Sequence, residues 1–211
     1  MRFMSNVLKK VYPKAVVALS SGADSIAILH FLKTKYPKLN LSAIHYNHNL
    51  RSQNFDMQKN AEIFCSDYNI PLTVNVRERA EKEDSTSEAE LRLLRYQSFK
   101  GQGNVITGHH LDDAVESYLM NCFNGTPEYL PIPIETEYKD LCFCVFRPFL
   151  ISTKEQILKY ISNHNLEKYV IEDETNVEVK YRRNWIRHKI IPEVSQFYNL
   201  QTIVKKKYLK K

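Results

Sequence analysis

The sequence predicts an α/β domain built on a parallel β-sheet with helices on both faces, and three observations carry that prediction. Apolar runs too short for helices, at 16–19, 39–44, 70–76 and 104–107, alternate with segments of helical periodicity. Strands separated by helices pair in parallel, because each helix returns the chain to the same end of the sheet. Second, 211 residues with 43% hydrophobic content suffice for one sizeable core, and no repeat or Pro/Gly/Ser-rich linker divides the chain. Third, three polar clusters each follow a strand directly, which places all of them in the crevice outside the strands' carboxyl ends.

In chain order, residues 5–12 form a leading helix that Pro13 ends. Val16, Val17 and Leu19 mark the first strand, and Ile28, Leu29, Phe31 and Leu32 recur at helical spacing after a turn of small residues. Tyr36-Pro37 breaks that helix, and 39–44 is the second strand. Ser52 opens a polar helix through about Asn69, and 70–76 is the third strand. A charged loop at 77–85 leads to a helix at about 87–100, then the fourth strand at 104–107 and an amphipathic helix through Phe123. Residues 127–133 are a loop, and 135–146 a short hairpin with Cys142 and Cys144 on one face. Residues 153–164 form a capped helix. Phe197, Leu200, Ile203, Val204 and Tyr208 set a last amphipathic helix that packs on the domain.

Formal net charge is +6, and the chain ends Lys205-Lys206-Lys207-Tyr208-Leu209-Lys210-Lys211, a balance that suits a polyanionic partner. No signal-peptide pattern is present, and no apolar run approaches the roughly 18 residues of a membrane span. The expected location is the cytoplasm or an organelle matrix, away from any membrane. Cys65, Cys122, Cys142 and Cys144 form no Cys-x-x-Cys pair and read as reduced thiols.

The chemistry concentrates in Ser20-Ser21-Gly22-Ala23-Asp24-Ser25. Small residues let the backbone approach a ligand, and successive N–H groups leading into a helix start make an anion cradle. The Gly-Lys-Ser/Thr ending of the ATPase phosphate loop is missing. A second cluster holds His45 and His48, and a third His109, His110, Asp112, Asp113 and Glu116. Asp112 and Asp113 share a helix face with Glu116, where like charges call for a cation or a substrate amine. Carboxylates beside a phosphate cradle suit Mg²⁺. An acidic first turn that merely complements the helix dipole is the plainer alternative.

The cradle resembles the loop of the N-type ATP pyrophosphatases, Ser-Gly-Gly-x-Asp-Ser, with Ser21 in place of a glycine. If that position needs φ > 0, a serine costs roughly a kcal/mol or more. Further motifs narrow the resemblance to the tRNA(Ile)-lysidine synthetases. They are His45-Tyr46-Asn47-His48-Asn49-Leu50-Arg51, Glu88-Ala89-Glu90-Leu91-Arg92-Leu93-Leu94-Arg95-Tyr96, and 107–117 with Ala114 and Ser117 as departures. Arg147-Pro148-Phe149-Leu150 follows, then Asp173-Glu174-Thr175-Asn176 with Arg183-Asn184-Trp185-Ile186-Arg187. Six ordered motifs span roughly 15–192.

The resemblance implies an ATP-dependent ligation of L-lysine to C2 of the wobble cytidine in tRNA(Ile) with a CAU anticodon, through an adenylated cytidine. It implies a catalytic role for Asp24, Asp113 and Glu116. ATP falls to Ser20, Ser21, Gly22, Ala23, Asp24, Ser25, His45 and His48, with Asp24 holding Mg²⁺. Lysine or tRNA falls to His110, Asp112, Arg92, Arg95, Asn176, Arg183 and Arg187. Tyr96, Tyr181 or Trp185 offers a platform for a flipped base. The expected organisation is a catalytic domain over 1–195 and a basic helix or tail over 196–211, without the later tRNA-binding domains of larger relatives, and a homodimer is compatible with it. Three rivals stay open: a tRNA thiolase, an enzyme that amidates small molecules, and an RNA-binding protein that no longer turns over ATP.

Overall fold

A computed structural model describes residues 2–78, 87–126, 129–172 and 182–210. After helix α1 (Arg2–Val11), strands β1 (Lys14–Ala18), β2 (Asn40–Asn47), β3 (Leu72–Val76) and β4 (Gly103–Ile106) alternate with helices α2 (Ala23–Lys35), α3 (Ser52–Asp67) and α4 (Glu88–Gln97). Helix α5 (Leu111–Phe123), the hairpin β5 (Glu135–Tyr138) and β6 (Phe143–Phe146), and α6 (Lys154–Asn163) follow. Next come α7 (Arg182–Trp185), α8 (Ile191–Ser195) and α9 (Leu200–Leu209).

The sheet has six strands in the order β3-β2-β1-β4-β6-β5, parallel except for the antiparallel β5–β6 edge. This is the α/β architecture that the strand and helix alternation predicts. Its two faces are packed separately, since successive side chains of a strand point to opposite sides. Val17, Leu41 and Ile106 join the core under α1, α2, α3 and α6, while Val16, Ile44 and Val105 pack with Tyr96 and Phe99 on the other face. The chain runs outward from β1 to β2 and β3, then crosses back through α4 to place β4 on the other side of β1, so the crevice opens between β1 and β4.

Two expectations need correction. The last helix starts at Leu200, capped by Asn199, whose side chain accepts the Thr202 N–H at 2.8 Å; Phe197 lies before it and is 80% exposed. It does pack on the domain, through Leu200, Val204 and Tyr208 against Leu111, Ala114 and Val115 of α5. Cys142 and Cys144 do not share a strand face, because Cys142 occupies a left-handed turn position (φ 53°) before β6 begins. Thr153 and Gln156 form the capping box that starts α6, as the sequence predicts. Among the described residues no helix is long and apolar enough to cross a membrane. Residues 173–181, with Asn176 and Tyr181, and most of the charged loop at 77–85 lie outside the described residues.

Candidate active site

The turn after β1 is held by its own hydroxyls. Ser25 Oγ accepts the Ser20 N–H at 3.1 Å, donates to the Gly22 carbonyl at 3.0 Å, and lies 3.2 Å from Ser20 Oγ. Ser21 has φ 59°, so the position does need the left-handed region, and the serine bears that strain. It is fully buried and its Oγ donates to the Met57 carbonyl at 2.6 Å, a bond that a glycine would lack. Gly22 caps α2 without a side chain; the Ser25 N–H donates to the Gly22 carbonyl at 3.1 Å, and the Ala23 and Asp24 N–H groups ahead of it have no side-chain cap and suit an anion.

Asp24 stands in that first turn. A Cβ on Gly108, in the turn after β4, would come within 3.0 Å of the Asp24 carbonyl carbon and Cβ. Only glycine lets the two turns at the switch point approach this closely. Asp24 Oδ1 accepts from Lys154 Nζ at 2.7 Å and lies 3.6 Å from His110 Nε2.

The acidic start of α5 divides into three separate jobs. His110 is the N-cap: its N–H donates to Asp113 Oδ2 at 2.9 Å, and its Nδ1 accepts the Asp112 N–H at 3.2 Å. Burial alone would lower the His110 pKa, but Asp112, Asp113 and Asp24 outweigh it and hold the ring above its ordinary value. Asp112 accepts the Lys154 N–H at 2.7 Å and Gln201 Nε2 at 2.8 Å, tying α5 to α6 and α9. Against the upward push of burial, those bonds and His110 bring its carboxyl down to about 2.

Asp113 and Glu116 meet arginines. Arg183 donates to Glu116 Oε2 at 2.6 Å and to Asp113 Oδ1 at 3.0 Å, and Arg187 donates to Glu116 Oε1 at 2.6 Å. The two arginines lie one turn apart on a stretch whose middle, Ile186–Ile190, is a π-helix. Pro192 cannot donate to the turn before it, which suits a widened helix there. The Glu116 carboxylate is buried and already occupied, so it positions arginines rather than standing open to an amine. Burial pushes Asp113 upward, but His110, Arg183 and His109 together bring it below the usual carboxylate range.

A cleft of about 360 Å³ opens among these turns. Of the residues the sequence singles out, Ser20, Asp24, Ser25, His45, His48, Arg92, Arg95, Tyr96, Asp113 and Arg183 line it. Ser21, Gly22 and Ala23 shape its loop from behind, and His110, Asp112, Glu116 and Arg187 lie off its wall. His45 is buried at its base; Nδ1–H donates to the Leu19 carbonyl at 2.8 Å, which leaves Nε2 as a buried acceptor without a partner. Burial, against Leu19 and Glu62, lowers its pKa and keeps it neutral. Tyr96 is only 4% exposed, with the Arg92 and Arg95 guanidiniums 5.0 and 5.8 Å from its ring centroid, so it supports arginines rather than presenting a bare platform. Trp185 is 44% exposed.

Sequence reasoning gave His109 no role and passed over Lys154. His109 lines the cleft, bonded through Nδ1 to Thr107 Oγ1 at 2.8 Å; burial first, with the Arg147, Arg183 and Arg92 charges, outweighs Asp113 and lowers it to about 3. Lys154 had one visible signal: a lysine opening a capped helix, where the dipole disfavours a cation.

A PP-loop domain family matches residues 2–194. The bifunctional protein TilS/HprT of Listeria innocua is 33% identical over 194 residues, covering 87% of this chain and 30% of that protein. The tRNA(Ile)-lysidine synthase of Staphylococcus aureus strain MW2 is 31% identical over 193 residues, covering 86% of this chain and 44% of that protein. The chain thus spans less than half the length of these curated relatives. Among solved structures, the U34-tRNA thiolase NcsA of Methanococcus maripaludis superposes with a TM-score of 0.74 at 15% identity, covering 99% of this chain and 77% of that one. The phosphoadenylyl-sulfate reductase of Candida auris gives 0.52 at 15% identity, covering 84% and 85%. At such identities these two share the fold alone.

Proposed function

The chain belongs to the PP-loop family, whose members use ATP, and on that premise we propose that it is a tRNA(Ile)-lysidine synthase acting in the cytoplasm. It would ligate L-lysine to C2 of the wobble cytidine of a CAU-anticodon tRNA(Ile), through an adenylated cytidine, releasing AMP and pyrophosphate. The observation that carries this reading is the meeting of the anion-binding turn with Asp113 and three arginines in one cleft. The similarity to a tRNA(Ile)-lysidine synthase over 86% of the chain favours lysine as the nucleophile.

In this reading the first turn of α2 receives the pyrophosphate and His45 Nε2 accepts a hydrogen bond from the nucleotide base. Asp24 fits Mg²⁺, being a carboxylate at the mouth of a phosphate cradle, and the ion when bound would neutralise charge on the phosphates. Asp113 receives the lysine ammonium in exchange for part of its bond to Arg183. Arg92 and Arg95, on an exposed helix beside the cleft, contact RNA phosphate. We assign part of the tRNA affinity, through phosphate contacts that do not read sequence, to the basic end of the chain at α9, and treat 1–195 as the catalytic unit. The sister reading, tRNA thiolation, is less favoured because none of the four cysteines lines the cleft.

The test is incorporation of radiolabelled lysine into purified tRNA with and without ATP. Asp24→Ala should abolish incorporation and leave tRNA binding nearly intact. Thiolated product, or turnover of a free metabolite without RNA, would refute the assignment. So would tRNA binding without pyrophosphate release.

A further inference from the structure

Lys154 is a cation behind the cleft wall, held to Asp24, that the motifs do not account for. It opens α6, whose N-terminus already carries partial positive charge, and its own N–H is taken by Asp112. Its Nζ donates to Asp24 Oδ1 at 2.7 Å. Asp24 stands in the first turn of α2, a second helix start, whose cap Gly22 brings no side chain. The Lys154 ammonium and, 3.6 Å away, His110 Nε2 therefore share a single carboxylate at the start of α2, while Asp112 meets the α6 N-terminus itself.

Of the two partners, Lys154 is the one able to move. The Asp24 backbone is pinned against Gly108, with no room for even a methyl group between them. The Lys154 side chain is 40% exposed and turns on a four-carbon stem with three donors to offer.

We propose that Lys154 is a phosphate-gripping residue stored on Asp24 in the nucleotide-free protein, and that it passes to a phosphate oxygen when nucleotide and Mg²⁺ bind. This rests on the reading of Asp24 as the metal ligand. The exchange conserves charge: the ammonium leaves the carboxylate for the phosphate, and Asp24 is then free to hold Mg²⁺, which would neutralise charge on the phosphates. Divalent ion alone meets a carboxylate already neutralised, so nucleotide binds before the metal or together with it.

Titration calorimetry on the full chain tests this with three probes: ATP in EDTA, MgCl₂ alone, and ATP with MgCl₂. Lys154→Met should weaken metal-free ATP binding about tenfold or more, the loss expected for one charge-assisted hydrogen bond. Lys154→Arg should stay within about threefold of the parent, because it keeps the charge at that place. Mg²⁺ alone should bind Lys154→Met more tightly than the parent. Metal-free ATP affinity unchanged in Lys154→Met, with a melting temperature equal to the parent's, would overturn the proposal. Asp24→Asn separates the two claims. If Mg²⁺ enhances its ATP binding as in the parent, Asp24 is not the metal ligand and the premise falls. If that enhancement is lost while Lys154→Met binds ATP in EDTA normally, the handover alone falls.

Discussion

Replacing Asp112 with asparagine separates a structural carboxylate from a substrate-binding one. Both Asp112 oxygens are occupied, Oδ2 by the Lys154 N–H at 2.7 Å and Oδ1 by Gln201 at 2.8 Å, and the residue lies off the cleft wall. Folding brings its carboxyl from 3.8 down to about 2. At about 1.4 kcal/mol per unit, the ionised form contributes about 2 kcal/mol. The pKa is depressed, so this stability is present above the unfolded value and is lost as pH falls toward the folded one. Asp112→Asn should lower the Tm by about 4–8 °C at pH 7 for a chain of this size. That gap should shrink by about half at pH 3, between the two pKa values. Thermal unfolding at both pH values, with a lysine KM at pH 7, decides the matter. A Tm gap that ignores pH would refute the charge assignment, and a tenfold rise in lysine KM with unchanged Tm would return Asp112 to the substrate site.

Ser21→Gly sets relief of about 1 kcal/mol of left-handed strain against loss of the Met57 hydrogen bond, worth about 0.5–1.5 kcal/mol. Its Tm should move by less than about 4 °C and its activity stay level or rise; a large fall in activity would mean that the hydroxyl serves the nucleotide. Gly108→Ala pushes a methyl group to 3.0 Å from Asp24 and should cut kcat/KM for ATP about tenfold or more, read in a pyrophosphate-release assay. Truncating the basic end would also remove Tyr208, which is buried and bonded to the Ile132 carbonyl at 2.8 Å, so the RNA test belongs to the exposed Lys206 and Lys210. Changing both to Gln should weaken binding of all tRNAs alike and flatten the salt slope by about 0.7–0.9 per lost phosphate contact; loss of discrimination between isoleucine and methionine tRNAs instead would refute that role. Arg183→Gln should move the acid limb of the pH–rate profile for lysine incorporation upward, and an unmoved limb would remove Arg183 from control of the amine.

Much of this fold was legible because local chemistry and global position agree. The apolar runs around Val17, Ile44 and Val105 are short and the helices between them periodic, which forces parallel pairing, and the Thr153–Gln156 capping box announces its helix directly. The cradle was legible because small residues between a strand and a helix have few other uses. Partners across the fold were not. The sequence shows Asp112, Asp113 and Glu116 as one cluster, yet neighbours on a helix separate when one faces α9 and another faces arginines some seventy residues later. Lys154 meets Asp24 across 130 positions, and no periodicity reports a contact of that span. His109 and His110 exchange significance for a related reason. One step along an irregular turn sends the first ring into the cleft and makes the second a helix cap.

The charge balance of the cleft bears on how the proposed reaction frees its nucleophile. The attacking ε-amine must be neutral, and a free lysine holds its proton to about pH 10.4. Neither neighbour is a strong base: burial lowers His109 to about 3, and Asp113, held by His110 and Arg183, lies below the usual carboxylate range. General-base strength therefore does not supply the driving force, since a group so acidic accepts an ammonium proton poorly. The cleft supplies it by another route. Arg183 lines the wall beside Asp113, where the proposed reaction seats the ammonium, and a like charge in a partly dry site lowers its pKa. Asp113 can then orient the amine while Arg183 makes its proton easier to lose to water or phosphate. Glu116 would serve this arrangement by position: buried and bonded to both Arg183 and Arg187, it holds the Arg183 guanidinium at the cleft wall.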